Sequence, residues 1–307
     1  MSLWTGRVDI EEGLRAIRWH QVVKPIEAAR EPGVVLLGFA CDEGVRRNQG
    51  RIGARGGPRA VRQALAGLAA HQARPVYDAG DVTCDETNLE GAQANFAARV
   101  AALLDDGHFV VGLGGGHEIA CGTFAGLAEQ VARSSAAQRR IGIVNVDAHF
   151  DLRQAARANS GTSFLRIAGF CRDRKLEFHY CCLGIAEPSN TAALFDRAGE
   201  LGVTWRTDDQ MGLAELPATL STLHQFATGV DCLYLTICLD VLPASVAPGV
   251  SAPAARGVSL EVIEALVDAV KASGKLAVAD VAELNPDFDP DNRTARVAAR
   301  LVYRIAR

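Results

Sequence analysis

The stretch IGIVNVDAHFD, residues 141–151, begins as a nearly continuous apolar run and ends in Asp147, His149 and Asp151. Alternating polarity would mark a sheet with one wet face. A continuous run marks a strand covered on both faces, as in a parallel sheet. Seven further runs have strand character, most of them continuous in the same way: VVLLGFA (34–40), PVYDAG (75–80), FVVGLG (109–114), FHYCCLGI (178–185), VTWRT (203–207), CLYLTICLD (232–240) and LAVADVAEL (276–284). Between them lie helical patterns, clearest at 57–72, 91–106 and 259–274, with Pro58 and Ser259 suited to helix starts and Gly274 to a stop. The alternation runs through the chain without a Pro/Ser-rich linker or a fixed-period repeat. The expectation is a single three-layer α-β-α domain spanning 1–307, built around a mainly parallel, about eight-stranded sheet. Residues 1–30 read as a leader packed on its surface.

Composition narrows the function classes. The 307 residues are 49% hydrophobic and 22% charged, with a net charge of −4. That balance fits a globular enzyme and offers neither the basic patch of a nucleic-acid binder nor a membrane-directed charge run. No apolar run is long enough to span a bilayer, and the start MSLWTGRVDIEEG lacks a signal-peptide pattern, so a cytoplasmic location is expected. The eight cysteines, at 41, 84, 121, 171, 181, 182, 232 and 238, match no zinc-ribbon or disulfide spacing.

Ligands of parallel sheets bind beyond the carboxyl ends of the strands, so the residues there matter most. GLGGGHE (112–118) places His117 after a glycine-rich turn; it is neither a dinucleotide fingerprint nor a phosphate loop, and flexible glycines would let the imidazole point into a cleft. Asp147, His149 and Asp151 share one face if the strand continues extended. Asp240 adds a carboxylate at the end of another strand. Such a set of oxygen and imidazole ligands suits Mn²⁺ or a similar divalent ion, with two ions expected.

With these motifs in order, the sequence resembles the ureohydrolases, the family of arginase, agmatinase and formimidoylglutamase. The resemblance runs from GFACDEGVRRNQGRIGARGGPRAVR (38–62) through GGGHE, DAHFD and CLDVLPASVAPGVSAP to DVAELNP (280–286). The variants DEGVRRNQGR, GGGHE and VLPASVAPGVSAPA are most similar to the formimidoylglutamase branch. That resemblance implies hydrolysis of N-formimino-L-glutamate to glutamate and formamide, a dinuclear manganese centre and a homo-oligomer. His117, Asp147, Asp151 and Cys238 would hold one ion; Asp147, His149, Cys238 and Asp240 would hold the other. A hydroxide between the ions would attack the amidine carbon, with Asp151 as proton shuttle and His149 among the catalytic groups. Glu283 would pair with the cationic amidine. Arg153 would meet a substrate carboxylate, with Ser160 or Thr162 as hydrogen-bond donors. Phe164 stands where arginases carry a histidine, which argues against arginase activity.

Cys238 departs from the family pattern, in which an aspartate bridges both ions. Three readings follow: a thiolate ligand of altered metal preference, a site that holds one ion firmly, or a redox switch with Cys41 as partner. The alternatives in function are another amidine hydrolase, such as agmatinase or guanidinobutyrase, and a metal-depleted, non-catalytic relative.

Overall fold

In the computed structural model, the apolar runs become strands of one sheet. They are β2 (Val34–Ala40), β3 (Val76–Thr83), β4 (Phe109–Leu113), β5 (Ile141–Val146), β6 (His179–Ile185), β7 (Thr204–Thr207), β8 (Cys232–Cys238) and β9 (Leu276–Ala282), joined by a two-residue β1 (Lys24–Pro25) that no apolar run announced. Their spatial order is β1-β3-β2-β4-β9-β8-β5-β6-β7, and every neighbouring pair is parallel. The structure describes residues 3–71, 73–134 and 140–307. Residues 1 and 2 of the leader, and residue 72 of the sequence-predicted helix, lie outside them.

The lack of alternation has the expected consequence. Every residue of β5 and β8 is buried. Side chains of β2 divide between two cores: Val34 and Leu36 join one, Val35, Leu37 and Phe39 the other. The first core is closed by helices Gly57–Ala66, Leu216–Thr228, Leu260–Ala272 and Arg293–Ala306. The second lies under Leu89–Asp105, Ile119–Arg133, Ser163–Asp173 and Ala192–Glu200. Each Leu, Ile or Val buried this way contributes roughly 1.5–3 kcal/mol. The last helix shows how local sequence sets an element. Its buried Ala295, Ala298, Ala299 and Val302 recur at helical spacing, and the Asp289 carboxylate accepts from the backbone N–H of Thr294 and Ala295 at 2.7 and 2.9 Å.

The leader is more than a surface strap. Trp19 is fully buried, its ring 6.3 Å from that of Tyr303, and β1 adds a ninth, two-residue strand along the β3 edge. Among the described residues, no helix is long and apolar enough to cross a membrane.

The topology positions the site. The chain lays down β2, β3 and β4, crosses to β5, β6 and β7, then returns with β8 and β9 to fill the gap. The strand ends that follow β4, β9, β8 and β5 therefore stand side by side, and they carry His117, Glu283, Cys238 with Asp240, and Asp147 to Asp151.

Candidate active site

Asp147 follows β5 directly and is fully buried; its Oδ1 accepts the His149 N–H at 2.8 Å and its Oδ2 the Asn145 amide at 3.0 Å. The chain does not continue as an extended strand. Asp151 has φ +49°, so the three ligand-type residues converge through a turn rather than by strand alternation. The turn is strapped where Asp151 C=O accepts from Phe164 N at 3.1 Å and Gly161 C=O from Arg153 N at 3.0 Å. Glu283 is also left-handed, at φ +74°, and its N–H donates to Gly115 C=O at 2.8 Å. Strained backbone held by surrounding bonds is common where side chains must be aimed.

His117 is placed by close packing, not by loop freedom. A Cβ on Gly115 would lie 1.8 Å from Cys41 O, and one on Gly116 2.1 Å from the Glu118 carboxylate. Gly115 thus lets two backbones touch, and Gly116 makes room for the Glu118 carboxylate. His117 Nε2 is 3.0 Å from Thr236 Oγ1, which turns Nδ1 toward Asp147 Oδ2 at 3.0 Å and Asp151 Oδ2 at 3.1 Å. Opposite it, His149 Nδ1 lies 3.2 Å from Asp240 Oδ2 and 3.6 Å from Asp147 Oδ1. Glu283 Oε1 accepts from His117 N at 2.8 Å.

These groups form two overlapping clusters, His117–Asp147–Cys238 and Asp147–His149–Asp240, each with ligand atoms within 4.8 Å of one another. Asp147 belongs to both. The arrangement fits divalent cations on two grounds. First, neighbouring ligand atoms around a small octahedral cation sit about 3 Å apart, the spacing seen here. Yet His117 Nδ1, Asp240 Oδ1 and Glu283 Oε2 are buried with no aligned hydrogen-bond partner. Second, negative charge is crowded. Burial pushes the Cys238 thiol well up, and Asp147, Asp240 and Glu283 push it further. Burial, Glu118 and Asp240 raise Glu283 well above the usual carboxyl range; burial and Asp147 also raise Asp151. Burial works against charge on His117 and His149, but the adjoining carboxylates outweigh it and raise both imidazoles well above their ordinary value. Burial likewise opposes charge on Asp147, and the two imidazoles more than offset it, holding that carboxyl low. A divalent cation is the charge this set of ligands lacks.

A pocket of about 90 Å³ opens over the clusters, lined by His117, His149, Asp151, Cys238, Asp240 and Glu283. Its outer wall includes Arg153, Ser160 and Asn48. Thr162 does not join them. Its Oγ1 donates to Asn159 O at 2.9 Å and accepts from Asn159 N at 3.0 Å, so the hydroxyl caps a turn. Phe164 is fully buried, stacked on Tyr180 at 4.5 Å and edge-on to His117 at 5.4 Å.

The pairing of Cys238 with Cys41 is excluded by strand order. Cys41 follows β2 and Cys238 ends β8, with β4 and β9 between them. Three inter-strand steps are roughly 14 Å, about twice the Cα separation a disulfide tolerates. Cys41 lies instead beside Cys84, one residue past the Ala40–Thr83 register pair of β2 and β3, and both line the same surface pocket.

Sequence reasoning missed the layer below the ligands. Asn145, Thr236 and Asp280 are register partners across β5, β8 and β9, and Gly112 of β4 completes the row. Asp280 accepts from Thr123 and Tyr234, each at 2.6 Å. The signal was present: Asn145 and Thr236 interrupt apolar runs two residues before Asp147 and Cys238, hence on the same face.

The profile of the Arginase family matches residues 32–306. The chain belongs to the arginase family. It is 57% identical to the formimidoylglutamase of Ralstonia nicotianae over 306 residues, covering 99% of this chain and 94% of that protein. Among solved structures, the formimidoylglutamase of Bacillus subtilis superposes with a TM-score of 0.85 at 23% identity, covering 98% of this chain and 93% of that one, a likeness of fold. The Trypanosoma cruzi formiminoglutamase with Mn2+2 superposes with a TM-score of 0.76 at 25% identity, covering 91% and 95%.

Proposed function

We propose that this arginase-family chain hydrolyses N-formimino-L-glutamate to L-glutamate and formamide. The observation that carries the reading is the placement of a cationic Arg153 on the wall of a pocket whose floor is a two-cluster, carboxylate-rich ligand set. Manganese is the metal proposed, as in the Trypanosoma cruzi relative. His117, Asp147, Asp151 and Cys238 would hold one ion, and Asp147, His149, Cys238 and Asp240 the other. Bound there, the ions would supply Lewis acidity that acidifies a water.

The chain's own residues account for the rest. Thr236 fixes which ring nitrogen of His117 faces the pocket, so the imidazole is aimed before any ligand arrives. Glu283 turns its free Oε2 to the amidinium and orients the amidine carbon. Arg153 and Ser160 receive a carboxylate of the substrate, which separates a glutamate derivative from agmatine, a substrate with none. Water adds to the amidine carbon and the bond to the glutamate nitrogen breaks. Asp151, beside His117 and raised by burial, takes the proton from the attacking water and returns it to the departing amine. A homo-oligomer and a cytoplasmic location complete the proposal, the first read by light scattering and the second by cell fractionation.

Product analysis tests it. Manganese-reconstituted protein should release equimolar formamide and glutamate from N-formimino-L-glutamate, and far less product from agmatine or guanidinobutyrate. A preference for agmatine would move the assignment to another amidine hydrolase. No turnover together with no retained metal would favour a non-catalytic relative.

A further inference from the structure

An arginine that must meet a substrate carboxylate poses a design problem. Its position has to be fixed, yet a carboxylate partner in the protein would cancel the charge it is there to offer. Nearby arginines show the usual solution: Arg46 and Arg47 are paired with Glu43, and Arg47 also with Glu90. Arg153 differs. Among the described residues, the partner of its guanidinium is a neutral amide, Asn48 Oδ1, which accepts from Nη1 at 3.2 Å. The same amide donates from Nδ2 to Ser160 Oγ at 3.1 Å, so one side chain spans the two groups proposed to receive the carboxylate.

The span is built from both ends. Asn48 follows the short helix Glu43–Arg47, and its N–H donates to Gly44 O at 3.0 Å. Arg47, nearly buried, donates to Ala158 O at 3.0 Å and to Thr87 O at 2.7 Å, tying that helix to the loop that carries Ser160. Gly161 keeps the gap open: a Cβ there would lie 3.2 Å from both Arg153 Cδ and Asn48 Nδ2. Asn48, Arg153, Ser160 and Gly161 all line the pocket over the ligand clusters.

We infer that Asn48 is a specificity-determining positioning residue, whose neutral amide holds Arg153 against the Ser160 loop without neutralising it, so that the pocket selects amidines bearing a carboxylate. The inference rests on the proposed role of Arg153. It separates geometry from charge, because aspartate has nearly the same shape as asparagine and the opposite electrostatic consequence. The carboxylate introduced by Asn48→Asp would hold Arg153 at least as firmly, spend its charge, and repel the incoming anion.

The test compares Asn48→Asp, Asn48→Ala and Asn48→Ser as metal-reconstituted proteins, reading KM and kcat for N-formimino-L-glutamate and calorimetric affinity for L-glutamate. Asn48→Asp should raise KM and the glutamate Kd on the order of 30-fold, with a smaller change in kcat. Asn48→Ala, which frees Arg153 but leaves it charged, should cost about 3- to 10-fold. Asn48→Ser, a smaller neutral acceptor, should bind glutamate more tightly than Asn48→Ala. In an Arg153→Ala background the difference between Asn48→Asp and Asn48→Ala should vanish. Equal losses for those two variants would reduce Asn48 to a packing role and overturn the inference, as would a serine variant no better than alanine, a comparison that stands even if Asn48→Asp does not fold. Wild-type turnover of N-formimino-L-glutamate reports separately on the proposed function.

Discussion

Cys238 sits 1% exposed between Asp147, Asp240 and Glu283, where a carboxylate would add a fourth negative group to a buried cluster. A thiol can remain neutral there until a cation arrives. Soft sulfur is also a poorer match than oxygen for Mn²⁺, so a thiolate ligand at this position would trade manganese affinity against Zn²⁺ or Fe²⁺. Cys238→Asp should therefore raise bound Mn²⁺ per chain after dialysis against a fixed free concentration, and Cys238→Ala should lower it, both read by elemental analysis. Equal metal content in all three proteins would remove Cys238 from the ligand set. Thr236 makes a second residue-scale case. Thr236→Val keeps the shape but leaves His117 Nε2 without its partner, and metal affinity should fall roughly 10- to 100-fold. An unchanged affinity would mean that packing against Phe164 alone aims the imidazole.

Among elements, much of the site was legible because strands announce themselves by continuity and their ends by polar residues. The runs at 34–40 and 232–240 became β2 and β8 with small boundary differences. Two things were hidden. The turn after β5 depends on a positive φ at Asp151, which a period-two reading cannot supply. The neighbours of each strand depend on topology, so the sequence offered Cys41 as partner for Cys238 although the sheet sets them three strands apart. Strand order makes its own prediction here. Peroxide treatment should link Cys41 to Cys84, giving one disulfide and two waters per peroxide, with no Cys41–Cys238 peptide in a mass-spectrometric map. Recovery of the Cys41–Cys238 pair would contradict the sheet order. Gly115 tests the contact between β2 and the turn after β4. Gly115→Ala must displace the Cys41 backbone and should destabilise the fold by about 1–3 kcal/mol in denaturant titration, while also lowering metal retention through His117.

For the whole molecule, the ligand clusters couple metal, protons and stability. His117 and His149 have folded pKa values raised well above the ordinary imidazole by neighbouring carboxylates. Their contribution to metal-free stability is thus complete below the unfolded imidazole pKa and is lost as pH rises through the folded value. The raised acids Asp151, Glu283 and Cys238 act in the same direction, since the folded state keeps their protons to higher pH than the unfolded chain does and stability falls over that interval. Metal binding at this site would have the opposite sign, because protons must leave the imidazoles before they can ligate. Melting temperature without metal should fall from neutral into mildly alkaline pH, and the increment given by Mn²⁺ should grow over the same range. A Mn²⁺ increment independent of pH would mean the imidazoles are not ligands. Whether four adjacent strand ends form a metal-dependent amidine-hydrolysing site is read by formamide release from N-formimino-L-glutamate during titration of metal-stripped protein with Mn²⁺. Stripped protein should release none, and release should rise with Mn²⁺ and level off near two ions per chain, one for each ligand cluster. Full activity in stripped protein, or none at saturating Mn²⁺, would rule out such a site.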